Sequence, residues 1–363
     1  MRRWGRALVV IPLLALGVRA QAAAQQTPTR VILFIGDGVG TAYWTAAAFA
    51  ADDLAVRRLP VVGLVDTRSA SDKVTDSAAS ATSYATGIET YNGAIGVDAD
   101  SLPVPTVLEV AAQRGMATGL VATSRITHAT PAAFAAHVPS RGSEWEIARQ
   151  IAEQGVTVVL GGGLAAFQDS TRPDSLDLLT PIRNGHTYVE TAEQLATLDP
   201  DTVRSLFGLF TPSHMPHAAD RSPTLPQMTA AAIAVLDHDS DGFFLMVEAS
   251  QPDWRGHSNE PLEAVTAEML DFDAAIGAAL EYRHKHPETL IVVTADHETG
   301  GLALQYDSSR TLVASYTTGS HTASMVPLFA VGPGAEHFGG IRSNAEVGKL
   351  LLEIVGRGTA GGT

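Results

Sequence analysis

The sequence predicts an α/β fold built on a large, mostly parallel central sheet with helices on both faces. Seven short runs rich in β-branched and apolar residues read as buried parallel strands: RVILFIG (30–36), PVVGLV (60–65), ATGLVAT (117–123), VTVVLGG (156–162), GFFLMVE (242–248), TLIVVTA (289–295) and VPLFAVG (326–332). Between them lie patterns of helical period, notably VPTVLEVAAQRG, EWEIARQIAEQG, LPQMTAAAIAVLDH and EPLEAVTAEMLDFDAAIGAALEYRHKH, some closing on Gly. Strand and helix alternate, and no linker or low-complexity tract divides a chain that is 45% hydrophobic and 17% charged.

Taken in order, the first residues carry Arg2, Arg3 and Arg6, then the apolar run Ala7 to Leu16, then small residues suited to cleavage. This predicts a secretory signal peptide over about residues 1–22 and a single catalytic domain over 23–363 in a periplasmic or secreted protein. No second stretch reaches membrane length, so no membrane span is expected in the mature chain. Net charge is −15, and loss of residues 1–22 removes four Arg and no acid, leaving −19. That balance argues against nucleic-acid binding, which relies on basic surface. There is no Cys, so stability must come from packing and from metals rather than disulfides.

In such sheets ligands bind beyond the carboxyl ends of the strands. VILFIG is followed by Asp37, ATGLVAT by Ser124 and then His128 and Thr130, GFFLMV by Glu248, Asp253 and His257, and TLIVVTA by Asp296 and His297. Four strands thus deliver acids or His to one edge. Glu248, Asp253 and His257 stand at spacings of five and four, and carboxylate plus imidazole is a ligand set for zinc. Asp296 and His297 are neighbours, so they can serve one metal only through a turn, or two metals with one member each. GSHTASMVP adds His321 in a loop of small polar residues. His284 and His286 sit at the charged end of a long helix, where a solvated role is expected, and His214 and His217 in a Pro-rich loop are left out.

The stretch VTDSAASATSYATG (74–87) admits two readings. It can be a close-packed helix start capped by Asp76 or Ser77. It can also hold a nucleophile at a helix N-terminus, where free N–H groups and the helix dipole favour an anion such as phosphate.

GDGVG after the first strand, TDSAASATSYATG with YNGAIGVD, HATPAAFAAHVPSR, VEASQPDWRGH, TADHETGG and GSHTASMVPLFAVGPGA together resemble the alkaline phosphatase family, in order, from about Arg30 to about Leu351. The resemblance implies a nucleophile at Ser77 and a two-step hydrolysis of phosphate monoesters through a phosphoserine. It implies one zinc on Asp253, His257 and His321, and a second on Asp37, Asp296 and His297 with Ser77 completing it. A third metal, usually magnesium, would take Asp37, Thr130 and Glu248, so two Zn2+ and one Mg2+ are expected per chain. Arg141 matches the family's substrate-phosphate arginine, whose planar fork can grip two oxygens at once. Inorganic phosphate is the expected product, and a homodimer is possible.

Some members have Asp where His128 stands and Lys where Trp254 stands, near the third metal and the phosphate. Only 23 residues separate His297 from His321, fewer than in members that insert a surface domain there, which bears on the family's dimer contacts. The same superfamily supports metal-dependent phosphodiesterases and sulfatases. Sulfatases need a Ser/Cys-x-Pro-x-Arg context that DSAASATS lacks, and diesterases usually lack counterparts of Arg141 and Glu248. A non-catalytic periplasmic phosphate- or metal-binding protein would keep the ligands without needing Ser77.

Overall fold

The computed structural model describes Met1 and residues 28–357, so the expected leader falls, Met1 apart, outside the described residues. Fourteen strands are present there: β1 (Arg30–Gly36), β2 (Val61–Asp66), β3 (Ala117–Arg125), β4 (Val158–Gly162), β5 (Thr187–Val189), β6 (Leu206–Leu209), β7 (Phe243–Ala249), β8 (Thr289–Ala295), β9 (Glu298–Thr299), β10 (Ala303–Tyr306), β11 (Leu312–Ser315), β12 (His321–Thr322), β13 (Val326–Val331) and β14 (Gly340–Ser343). Ten of them form one sheet in the order β14-β2-β13-β8-β1-β7-β3-β4-β6-β5. β9 pairs with β12 and β10 with β11 as separate antiparallel ladders.

The sheet is parallel except for β13, which runs opposite to both β2 and β8. VPLFAVG was expected to be parallel. The connection from β8 leaves and returns at the same edge of the sheet, closed by the β9–β12 ladder, so β13 can only run back down. PVVGLV was expected to be buried, yet Val62 and Leu64 are exposed on β2, which lies next to the edge strand.

Registry fixes which side chains share a face. Val31, Phe244 and Leu290 are level in β1, β7 and β8, and Phe34 is level with Val247. Phe244 stacks on Phe134 of the helix Ala129–Ala135, whereas Phe34 meets Phe272 of the helix Leu262–Lys285. One face therefore lies under the helices Ser77–Thr86, Val107–Gln113, Ala129–Ala135 and Asn344–Gly356, the other under Thr41–Ala50, Leu225–Leu236 and Leu262–Lys285. Central strands are buried on both sides, which explains their unbroken apolar runs. Among the described residues no helix is long and apolar enough to cross a membrane.

Two steps along each strand return to the same face. From Val31, Phe244 and Leu290 this brings Asp37, Glu248 and Asp296 to the upper edge, under the helices that begin at Ser77 and Ala129. The helix Ser77–Thr86 is pressed from behind by Asn344–Gly356. A Cβ on Gly348 would stand 2.2 Å from the Ser83 carbonyl oxygen and 2.8 Å from the Gly87 nitrogen. Gly348→Val is expected to cost about 1–3 kcal/mol in urea unfolding, because it must force two helices apart. Gly185→Ala, where an added Cβ meets nothing, should cost nothing measurable; equal losses in the two variants would contradict this packing.

Candidate active site

The short helix Ser77–Thr86 starts on Asp76 and ends on Gly87 in the left-handed conformation. Asp76, not Ser77, is the cap. Its Oδ1 accepts from the N–H groups of Ala79 and Gly93, both at 3.0 Å, and its Oδ2 accepts from Arg141 Nη1 at 2.9 Å. Burial opposes its charge, but the Ala79 N–H, the Arg141 guanidinium and the Gly93 N–H together hold its carboxyl below the usual carboxylate range. Ser77 is left out of the cap, and its buried hydroxyl at the first helical position forms a hydrogen bond with His297 Nε2 at 3.2 Å.

Three groups of donor atoms converge beside it, the atoms of each within 4.8 Å of one another. In the outer group, Asp253 and His257 lie one turn apart on the helix Gln251–His257, with His257 Nε2 3.3 Å and His321 Nε2 3.7 Å from Asp253 Oδ1. The Nδ1 atoms of His257 and His321 are tied to the carbonyls of Gly319 at 2.8 Å and Thr75 at 2.9 Å, leaving both Nε2 atoms to face a ligand. The Thr299 hydroxyl donates to Asp253 and lies 3.2 Å from His297 Nδ1.

The inner group is Asp37, Asp296 and His297, all fully buried. β8 ends at Ala295, and the bend that follows lets both neighbours turn inward. His297 Nε2 lies 3.4 Å from Asp37 Oδ1 and 3.3 Å from Asp296 Oδ2. Burial, then the nearby His321, pushes the His297 imidazole well down, so it is neutral and free to act as a ligand.

The third group brings Asp37 and Glu248 together with His128, and Thr130 stands in the first turn of the helix that His128 precedes. Glu248 Oε2 accepts from the hydroxyls of Ser250 at 2.6 Å and Ser124 at 3.2 Å. Both oxygens of Asp37, Glu248 Oε1, Asp296 Oδ2 and Thr130 Oγ1 are buried without a hydrogen-bond partner among the described residues. Orphaned buried carboxylate oxygens are costly unless something positive meets them. This donor set therefore fits divalent cations: nitrogen and carboxylate in the first two groups, mostly oxygen in the third.

Arg141 is half-buried and fixed at one end by Asp76, while its Nη2 lies 3.2 Å from His128 Nε2. An arginine only donates, so His128 accepts there as a neutral ring. Burial, then Arg141, pushes its imidazole well down. Trp254 stands edge-on to His128 with 6.2 Å between ring centroids.

All twelve residues singled out from the sequence come together at this edge. His128, expected near the third metal and the phosphate but not as a ligand, joins the third donor group itself. His214 had been set aside, yet its ring packs 4.4 Å from that of Trp254. LFGL before it is strand β6, and taking the residues after that strand as well would have exposed it. Thr299, Ser124 and Ser250 were missed as supports of the ligands. His217 sits against Gln251 at 3.1 Å, and His286 stacks on Tyr282, so neither joins a donor group.

A family model described as alkaline phosphatase matches residues 29–314. Alkaline phosphatase 3 of Bacillus subtilis is 39% identical over 320 residues, covering 81% of this chain and 68% of that protein. Streptomycin-6-phosphate phosphatase of Streptomyces griseus is 34% identical, covering 97% and 98%. The solved structure of alkaline phosphatase from the Antarctic bacterium TAB5 superposes with a TM-score of 0.86 at 38% identity, covering 92% of this chain and all of that one.

Burial raises the carboxyls of Asp37, Asp296 and Glu248, and the charge of Asp296 adds to this at the other two; Glu248 is pushed up to about 7. Without cations the folded chain then holds protons that the unfolded chain has lost, so stability should fall as pH rises from about 4 to about 7. Chelation should therefore lower Tm more at pH about 7.5 than at about 4.5, and divalent cations should abolish both the loss and its slope. A chelator effect that is absent, or equal at both pH values, would exclude cation binding as the solution to these buried acids.

Proposed function

Since the chain belongs to the alkaline phosphatase family and is a phosphatase, we propose that it hydrolyses phosphate monoesters through a phosphoserine on Ser77. The observation that carries this is the Ser77 hydroxyl at a helix N-terminus, flanked by His297 and by an Arg141 that Asp76 anchors. Arg141 binds two oxygens of the phosphoryl group and turns the phosphorus towards Ser77 Oγ. The first-turn N–H groups add a further favourable field for the anion. Ser77 Oγ attacks phosphorus and the alcohol oxygen departs, leaving the phosphoserine. Water then attacks the same phosphorus on the opposite side, releasing inorganic phosphate and restoring the hydroxyl. Zinc held by Asp253, His257 and His321, zinc held by Asp37, Asp296 and His297, and magnesium near Asp37, Thr130 and Glu248 would supply the Lewis acidity that makes a serine hydroxyl and a water nucleophilic. Metal analysis of protein purified without chelator tests that stoichiometry.

Ser77→Ala should retain fold and metals but lose at least about a hundredfold in kcat, since the two-step route is gone. Acid quenching during turnover, followed by peptide mapping, should recover phosphate on Ser77 of the unmutated protein; phosphate found on another side chain would end the assignment.

The neutral His128 gives the third group one negative charge fewer than a carboxylate would, and the Trp254 ring brings no cation to the phosphate where a lysine would. Histidine-to-aspartate and histidine-to-glutamate variants of the TAB5 enzyme have Mg bound in its M3 site. By the same chemistry, His128→Asp with Trp254→Lys should lower the phosphate inhibition constant, weaken the dependence on added magnesium and reduce kcat at alkaline pH by slowing product release. Unchanged phosphate affinity together with unchanged magnesium dependence would show that these two positions do not tune the site. Export to the periplasm or medium after cleavage near residue 22, with residues 23–363 acting as one catalytic unit, rests on the leader's composition. N-terminal sequencing of the exported protein tests it, and sedimentation tests a homodimer.

A further inference from the structure

His214 lies on the loop between β6 and the helix Leu225–Leu236, and nothing in the reaction above uses it. Its ring stands edge-on to Trp254, with centroids 4.4 Å apart and planes at 76°, and edge-on to His128 at 5.5 Å and 78°. Trp254 and His128 are themselves perpendicular, at 88°. Three rings thus lock one another, each blocking rotation of the other two, and the far side of His128 meets Arg141.

The loop that carries His214 is held rigidly. The Met215 N–H donates to the Thr123 carbonyl at 3.2 Å, and the Gln251 amide donates to the carbonyls of Met215 at 2.7 Å and Pro216 at 3.0 Å. Gly162 lets the loop approach β4: a Cβ there would stand 2.2 Å from the Ser213 carbonyl oxygen. Behind the ring, Arg125 Nη1 lies 2.6 Å from His214 Nε2, and Arg125 Nη2 donates to Glu144 at 2.6 Å. Arginine cannot accept, so the imidazole must be neutral. Burial first, then Arg125, pushes it down to about 4, so the ring keeps one form over the range in which phosphatases are assayed.

We propose that His214 is a positioning residue for phosphate binding: its ring fixes Trp254 and His128 and, through His128, the free end of the Arg141 guanidinium. The inference rests on the reading of Arg141 as the phosphate-binding group. Edge-to-face packing of the ring, rather than the bond to Arg125, is what positions its neighbours.

Two variants separate those contributions. His214→Phe keeps a ring and loses the acceptor, and His214→Gln keeps an acceptor and loses the ring. With p-nitrophenyl phosphate as substrate and inorganic phosphate as inhibitor, His214→Gln should raise KM and the phosphate inhibition constant about threefold to tenfold, with kcat changed less than about twofold. His214→Phe should stay within about twofold of the unmutated protein on both binding constants. In a His128→Ala background the Gln substitution should add less than about twofold, because the ring through which it acts on Arg141 is already gone. The reverse order of Phe and Gln, full effects persisting without the His128 ring, or unchanged binding constants in His214→Gln would each overturn the proposal. Arg141→Ala, measured alongside, tests the underlying reading separately: if it leaves phosphate inhibition unchanged, Arg141 is not the phosphate-binding group.

Discussion

Four carboxylates, those of Asp37, Asp253, Asp296 and Glu248, are buried together at one edge of the sheet, and the rest of the site is organised around their mutual repulsion. Charges this close in a poorly solvated volume cannot all stay ionised without positive partners. The protein supplies few of its own. Arg141 pairs at one end with Asp76 and not with these four, and His297 and His128 are held neutral by burial. What remains is a set of oxygens and nitrogens aimed inward, a coordination shell whose cohesion has to come from cations. Hydroxyls of Ser124, Ser250 and Thr299 satisfy only one side of Glu248 and Asp253, fixing their orientation without neutralising them.

Asp76 links this charge problem to the backbone. One carboxylate caps the helix Ser77–Thr86, draws in Gly93 and anchors Arg141. Because the cap is Asp76, the adjacent serine is not consumed by helix initiation. The same economy appears at Glu298, whose carboxylate accepts from the N–H groups of Gly301 and Leu302 and from the Thr322 hydroxyl beside His321.

The centre of the fold was legible because parallel strands buried on both faces write long apolar runs, and β1, β7 and β8 begin and end within a residue or so of those runs. The periphery was not. β5 and β6 have three and four residues, too short to show a pattern, and β14 is largely exposed. The direction of β13 depends on where its connection starts and ends, which no local pattern encodes. Residues with unusual chemistry after a recognised strand were found, whereas His214 was set aside as part of a Pro-rich loop because the strand before it went unrecognised. Serine and threonine supports were invisible for another reason: a hydroxyl that orients a ligand looks in sequence like any small polar residue.

The excursion from His297 to His321 leaves the sheet and rejoins it through a ladder of only two residues on each side. His321 rides on that ladder, and its partner His257 is solvent-exposed, whereas Asp37, Asp296 and His297 are fixed directly to the central strands. Free energies of opening differ accordingly across a few ångströms. Local fraying of the excursion can detach one imidazole while ten strands stay paired, so the outer donor group can open on the timescale of loop motion. The inner group can do so only when the sheet edge itself gives way. Two donor groups of similar chemistry thus differ in how readily they come apart, and the length of a ladder sets the difference.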